Sequence, residues 1–505
     1  MKIKAFLLGL ITALTFFWQS AAALDLPEII GDNMMLQQNT EARIWGWAKG
    51  GSIVNVTTSW NHKMYTATAN KKTGRWEVMV KTPEASYDEQ YINISGDGEL
   101  RVIEHILIGE VWFCSGQSNM EMPLRGFWNC PVEGANEAIL KAKDYKKSIR
   151  VATIQKVGAQ TPQERVPGKW QECNIENAPE FSACGYFFAT ALTDLINVPV
   201  GIINCSWGGS TVEGWMPMDT LMTYPDQLEP ISKEEYHTKM IMFNGMLSPL
   251  AGYTIKGFLW NQGESNVGHA REYVRRFSTM VRTWRKMWNQ PNDKLPIYTV
   301  ELPPYWYDND NGVEGALLRE AQHTIAHQLE NSGCVCTADL VYDYEHKQIH
   351  GTKKMEIGKR LAYMAATRDY GIKGIVAEAP EFESMRVIDP VPSKPQVIAG
   401  TMVQQEDPDS QHQVVVIKFS NARDGFSRLN DIEGFEAIGD DGEWHKAQVW
   451  ADSDTSDPRI NGCILKLICP EAKNIKNIRF NFKNWNATNL YGMRGLPVVP
   501  FRTRY

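Results

Sequence analysis

The 505-residue sequence predicts an α/β architecture: a parallel sheet flanked by helices and set between N-terminal and C-terminal β-sandwich-like domains. Three observations carry that expectation. Residues 28–105 run in short segments of alternating apolar and polar side chains, residues 106–374 alternate apolar strands with helical stripes, and beyond about residue 375 the helical period gives way to strands again.

The chain opens with Lys2 and Lys4, an apolar run from Ala5 to Trp18, and Ala21, Ala22 and Ala23 before Leu24. This is the layout of a secretory signal over residues 1–23. The run is shorter than the roughly 20 apolar residues a spanning helix needs, so the expectation is an exported chain, periplasmic or extracellular, with no membrane association after cleavage.

In the domain expected over 24–105, Trp76, Val78 and Val80 line one strand face, and Ile92 and Ile94 another. The central domain, 106–374, holds apolar strands over Ile106–Cys114, Val198–Asn204, Ile255–Trp260, Ile297–Leu302 and Cys334–Leu340. Runs apolar on both faces and separated by helices imply a covered parallel sheet. One helix is marked by Tyr273, Phe277, Met280, Val281, Trp284, Met287 and Trp288 at intervals of three and four. Another follows His350, with Ile357, Leu361, Met364 and Ala365 on one face and Gly371 at its end. Strands over Val414–Phe419, Phe435–Ile438, Ile464–Ile468 and Ile478–Phe482 form the last domain, 375–505. No Ser/Gly or Pro linker separates the three parts, so they are expected to pack together.

The composition is 43% hydrophobic and 22% charged, with a formal net charge of −7, which argues against a nucleic-acid or anionic-membrane surface. The nine cysteines permit disulfides in an exported chain, although an odd number leaves one over. Cys334 and Cys336 read as core filler.

The chemistry is expected at the carboxyl ends of the strands. Ser118, in Cys114-Ser115-Gly116-Gln117-Ser118-Asn119, follows a strand through a tight turn that exposes a hydroxyl. A hydroxyl nucleophile needs a base, and the oxyanion it creates needs donors already aimed at it. Trp207-Gly208-Gly209-Ser210 offers backbone N–H groups, and Asn261-Gln262-Gly263-Glu264 offers the Gln262 amide. Glu264 reads better as a brace, since an ester hydrolase needs a single general base. The base should come from the loop after the last strand, where His346 and His350 both lie. Spacing alone favours His346, which has Asp343 three residues before it, whereas His350 has Lys347 there. A zinc site at the same pair lacks both the motif glutamate and a third ligand, and no phosphate or dinucleotide fingerprint is present.

These blocks together resemble the sialate O-acetylesterases, a branch of the SGNH-type serine esterases. The resemblance runs through Gly116-Gln117-Ser118-Asn119-Met120, Trp207-Gly208-Gly209-Ser210 with Glu213-Gly214-Trp215, and Trp260-Asn261-Gln262-Gly263-Glu264-Ser265. It continues in Phe243-Asn244-Gly245-Met246, Leu318-Arg319-Glu320-Ala321-Gln322 and the closing Gly495-Leu496-Pro497. Ile349-His350-Gly351 with Lys354, Gly358, Arg360 and Leu361 matches the family's histidine block and turns the choice of base to His350, although Gly351 stands where relatives carry proline.

The resemblance implies hydrolysis of an acetyl ester on sialic acid or a related sugar. It gives Ser118 as nucleophile, His350 as base, and the Ser118 N–H, Gly209 N–H and Gln262 side chain as oxyanion donors, with no cofactor and no metal. The group that orients His350 stays open among Asp339, Asp343 and a backbone carbonyl. Trp207, Trp215 and Trp260 are candidates for stacking on sugar faces, with packing the expected role of at least one, and Arg319 is a candidate either for pairing an acidic sugar or for a structural ion pair. Two other readings compete: an acetyl esterase on xylan or another plant polysaccharide, and a non-catalytic carbohydrate-binding protein.

Overall fold

The computed structural model describes residues 24–503, apart from 227–231, 290–293, 309–311, 391–395, 399–400, 404–410, 429–430, 452–462 and 486. The signal expected over 1–23 lies outside the described residues.

Alternation at the N-terminus produces two facing antiparallel layers. Leu24–Asp25, Glu41–Ala48 and Arg75–Lys81 form one. Ile53–Thr58, Met64–Thr68 and Ser86–Gly96 form the other, extended by the strand Glu99–Gly116. Trp76, Val78, Val80, Ile92 and Ile94 are all buried in one core.

The strand expected from Ile106 begins earlier, at Glu99, and the boundary expected at 105/106 falls inside it. Its first half pairs with Ser86–Gly96 and is mostly exposed, with Ile103 alone buried between Glu99 and His105; its second half is buried at every position from Ile106 to Gly116. His105, at φ 57°, marks the irregularity where the strand passes from one environment to the other. A change in burial pattern reads as a boundary in sequence, yet the backbone runs through it.

That second half is the centre of the parallel sheet, ordered Ile149–Thr153, Val200–Ser206, Glu99–Gly116, Gly257–Asn261, Ile297–Val300 and Ser332–Val335, with Trp170–Glu172 antiparallel at one edge. Ala270–Trp288 and Glu314–Gln328 share a core with Phe113 and Phe258 on one face. Ala183–Ile196 and Lys354–Asp369 pack with Trp112 and Cys114 on the other. The last strand stops at Val335 rather than continuing to Leu340. Ala338, Leu340 and Val341 are buried in an irregular segment, which apolar periodicity alone does not distinguish from a strand.

Among the described residues, the C-terminal domain holds two four-stranded antiparallel sheets and two two-stranded ones, with Val415, Ile417, Phe435, Leu465, Leu467, Ile478 and Phe480 in its core. All nine cysteines are free thiols. No helix among the described residues is long and apolar enough to cross a membrane.

Candidate active site

Strand register builds the first half of the site. Gly116 is paired with Ser206 on one side and Asn261 on the other, so three parallel strands end level. The turns that follow emerge side by side: the Trp207 N–H donates to the Gly116 carbonyl at 3.0 Å, and the Gln117 N–H to the Asn261 carbonyl at 3.0 Å. Only glycine fits at 116, where φ is 136° and a Cβ would stand 2.1 Å from the Asn261 oxygen.

Ser118 opens the short helix Ser118–Glu121 and is half-buried. As the first helical residue, its N–H has no intrahelical acceptor. The glycine turn lies against it so closely that a Cβ at Gly208 would fall 3.2 Å from the Ser118 Cβ. Two N–H groups of that turn are spent: Gly208 donates to Glu121 Oε2 at 2.6 Å, and Ser210 to the Trp207 carbonyl at 3.2 Å. The Gly209 N–H donates to no group among the described residues. Ser265 Oγ fixes the same residue by donating to its carbonyl at 2.8 Å, and φ of 79° with the Tyr236 ring close above excludes a larger side chain. Ser118 and Gly209 therefore carry backbone N–H groups on turns that lie against each other.

Gln262 departs from expectation. Its side chain is fully buried, and Nε2 donates to the Ser210 carbonyl at 3.0 Å and to Asn266 Oδ1 at 2.8 Å. Both amide hydrogens are committed to bracing the two neighbouring turns, so a bond to a substrate oxygen would require giving one up.

The histidine loop comes to this corner through Asn119. Its Nδ2 donates to the Ile349 carbonyl at 3.0 Å and to Glu264 Oε1, while its Oδ1 accepts from Lys354 Nζ at 2.6 Å. One buried amide thus ties the nucleophile turn, the Gln262–Glu264 turn, the residue before His350 and the helix after it. Glu264 is the brace the sequence suggested, and burial raises its pKa. The sequence carries no spacing signal for Asn119 as a hub; its partners are 145, 230 and 235 positions away.

Glu345 clamps the loop from within. Its buried carboxylate accepts from the Tyr342 N–H at 2.8 Å and the Thr352 N–H at 3.0 Å, closing the segment that carries His350. Phe127 meets the His350 ring edge-on at 5.2 Å, and Cys130 Sγ lies 3.8 Å from Nδ1. Burial, helped by the nearby Lys354 cation, lowers the His350 pKa to about 4. No hydrogen bond joins Ser118 Oγ to His350 among the described residues; such bonds commonly tighten only when substrate is bound.

Among the described residues, no carboxylate hydrogen-bonds to His350. Asp339 is engaged by Arg360 through two bonds of 2.7 Å, and Asp343 is solvent-exposed. His346, on the same loop, meets two indoles instead, its ring 5.6 Å from Trp306 and 6.1 Å from Trp485.

The expected sugar contacts also need correction. Trp215 and Trp260 are fully buried and Trp207 is 9% exposed, so all three are packing groups. Arg319 is buried, 3.8 Å from Glu301, and donates to the Lys483 carbonyl, which makes it part of an internal ion pair. A cavity of about 780 Å³ lies between Thr367 and the C-terminal domain near Asn421 and Arg494, and contains neither Ser118 nor His350.

Comparison with known proteins agrees with this geometry. The family described as carbohydrate esterase, sialic acid-specific acetylesterase, matches residues 108–367, just over half of the chain. The Homo sapiens protein named sialate O-acetylesterase is 26% identical over 433 residues, covering 77% of this chain and 79% of its own. That of Mus musculus is 24% identical, covering 69% and 74%. Among solved structures, a carbohydrate acetylesterase from Xanthomonas citri superposes with a TM-score of 0.81 at 27% identity, covering 95% of this chain and 99% of its own. With the sheet, the turns and the matched segment all in agreement, the chain belongs to the sialic acid-specific acetylesterase family of carbohydrate esterases and is a carboxylic ester hydrolase.

Proposed function

We propose that the enzyme removes O-acetyl groups from sialic acid or a related sugar, with Ser118 as nucleophile, His350 as general base, and the Ser118 and Gly209 N–H groups as oxyanion donors. The observation that carries the reading is the level ending of three strands at Gly116, Ser206 and Asn261, with the His350 loop tethered to the same corner by Asn119. The names of the human and mouse relatives supply the sialate part of the reading.

Ser118 Oγ attacks the acetyl carbonyl while neutral His350 accepts the hydroxyl proton. Nδ1 faces Cys130, which leaves Nε2 for this task. The tetrahedral oxyanion is held by the two N–H groups, whose dipoles are fixed before the charge develops. Its collapse breaks the bond to the sugar oxygen, which departs with the proton from His350. Water, deprotonated by His350, then attacks the acetyl-serine and releases acetate, restoring the serine hydroxyl. The depressed pKa keeps His350 in its base form across the neutral range. Among the described residues no carboxylate bonds to His350 to stabilise the imidazolium, so the working unit is a dyad.

We also infer export, from Lys2, Lys4 and the apolar run Ala5–Trp18.

Acetate release from an aryl acetate, an O-acetylated sialic acid and an acetylated xylo-oligosaccharide tests the reading. The expected result is preference for the sialate ester and loss of all three activities in Ser118→Ala. Preference for the xylo-oligosaccharide would reject the sialate substrate and leave the mechanism standing; undiminished turnover in the alanine variant would reject the site.

A further inference from the structure

With Trp207, Trp215 and Trp260 buried and Arg319 internally paired, the groups first expected to hold the sugar are not at the surface. Exposed aromatic surface is found instead around the other histidine of the loop, His346. Trp306, in the segment after the strand Ile297–Val300, is 51% exposed, and its backbone N–H donates to the His346 carbonyl at 2.9 Å. Its ring lies 5.6 Å from that of His346, and Trp485, from the C-terminal domain, approaches the same imidazole at 6.1 Å. The exposed Lys347 holds its ammonium 5.0 Å from the centre of the Trp306 ring. No carboxylate lies within ion-pair distance of Lys347 among the described residues.

This cluster is built to stay in place. Asn484, next to Trp485, pins the C-terminal domain to the catalytic one. Its Oδ1 accepts from the Gly315 N–H at 2.8 Å, its carbonyl from the Tyr305 N–H at 3.1 Å, and its Nδ2 donates to the Tyr307 carbonyl at 3.1 Å. Both flanks of Trp306 are thereby held to the residue beside Trp485. Lys347 and His350 are three residues apart, a backbone separation of at most roughly 10 Å, so the cluster and His350 share one loop.

We propose that Trp306, Trp485 and Lys347 form a subsite for a carboxylated sugar ring, set beside the catalytic corner and completed by the C-terminal domain. The indole faces take the apolar C–H face of the ring, and the ammonium takes its carboxylate. A lysine lying over an indole gains a modest cation–π attraction and stays partly hydrated. A carboxylate therefore adds a charge-assisted hydrogen bond without displacing a protein partner. The inference rests on the Ser118–His350 reading for the position of the ester, and it names the feature that would select an acidic sugar over a neutral one.

Two measurements separate the subsite from the catalytic reading. The first is binding of free sialic acid to Ser118→Ala, which requires no turnover; adding Lys347→Gln is expected to weaken it about tenfold. The second is kcat/KM on an acetylated sialic acid against an acetylated neutral sugar. Lys347→Gln should cost about tenfold more on the acidic ester, mostly through KM, whereas Trp306→Ala and Trp485→Ala should lower both sugar esters more than an aryl acetate. Lys347 and Trp306 are exposed, so their variants are expected to fold. An unchanged acidic-to-neutral ratio in Lys347→Gln, with unchanged sialic acid binding, overturns the subsite even if Ser118→Ala is inactive. Retained aryl acetate turnover in Ser118→Ala overturns the catalytic reading instead, and the binding arm still decides the subsite.

Discussion

The two halves of the active corner are assembled by different means. The nucleophile half is backbone: Gly116 locked between two neighbouring strands, Ser118 at the start of a helix, and Gly209 in a turn with one donor left over. The histidine half is side chain: a loop closed by Glu345 and fastened to the rest by Asn119, with no carboxylate bonded to the imidazole among the described residues. Strand register is specified by every residue of three buried strands, whereas the loop depends on a few buried polar groups. The first half should therefore tolerate change at any single supporting side chain, and the second should not.

Removing the reactive group itself gives the largest effect. Ser118→Ala is expected to lower kcat by several thousand-fold or more, since the oxyanion donors alone retain only a small part of the rate enhancement. Stability should change little, because Ser118 is half-buried and its side chain makes no hydrogen bond within the described residues. Steady-state acetate release, together with thermal unfolding, reads both quantities.

Next comes the tether. Asn119→Ala strips Lys354 and Glu264 of a buried partner and releases the Ile349 carbonyl. A loss on the order of 3 kcal/mol in stability is expected from leaving charged groups without their hydrogen bonds. Misplacement of the base should lower kcat about a hundredfold. Asn119→Asp restores a partner for Lys354 but sets a carboxylate oxygen against Glu264 and leaves the Ile349 carbonyl without a donor, so it should regain neither full stability nor activity. If activity returns with the aspartate, the amide is not what positions the loop.

A subtler contrast lies in pH. The kcat/KM profile of the wild type is expected to stay flat as pH falls from neutrality and to drop only near the lowered His350 pKa of about 4. Protonation there removes the base. Burial is the larger cause of the lowering and the Lys354 cation the smaller, so Lys354→Met should move the acid limb to higher pH while leaving it below the ordinary histidine value. A limb already near 6.5 in the wild type would point to a histidine far more hydrated, or paired with a carboxylate.

Sequence reading reached the two halves unequally, for the same physical reason. The strand–turn segments after Gly116, Ser206 and Asn261 are local, and each strand was legible within a few residues because apolar runs and turn glycines are adjacent in sequence. The long strand's true start at Glu99 was hidden because its first half faces solvent on one side. Asn119, Glu345 and Lys354 act through partners far along the chain or through burial, neither of which leaves a periodic mark. Gln262 shows the converse: its motif suggested a substrate-facing amide, and only the folded arrangement reveals that both hydrogens are spent on Ser210 and Asn266.

The smallest expected effects test the absent carboxylate. Asp339→Asn weakens the paired bonds to Arg360 and should destabilise the fold by about 1–3 kcal/mol while leaving the acid limb of the pH profile where it was. Asp343→Ala should change neither, because that side chain is exposed and His346 meets the Asp343 carbonyl rather than its carboxylate. In an aspartate-supported triad, loss of the acid costs about four orders of magnitude in kcat. A fall of that size in Asp343→Ala would mean that the loop refolds around substrate to bring a carboxylate behind His350, and the side-chain half of the site would then be an induced assembly rather than a preformed dyad.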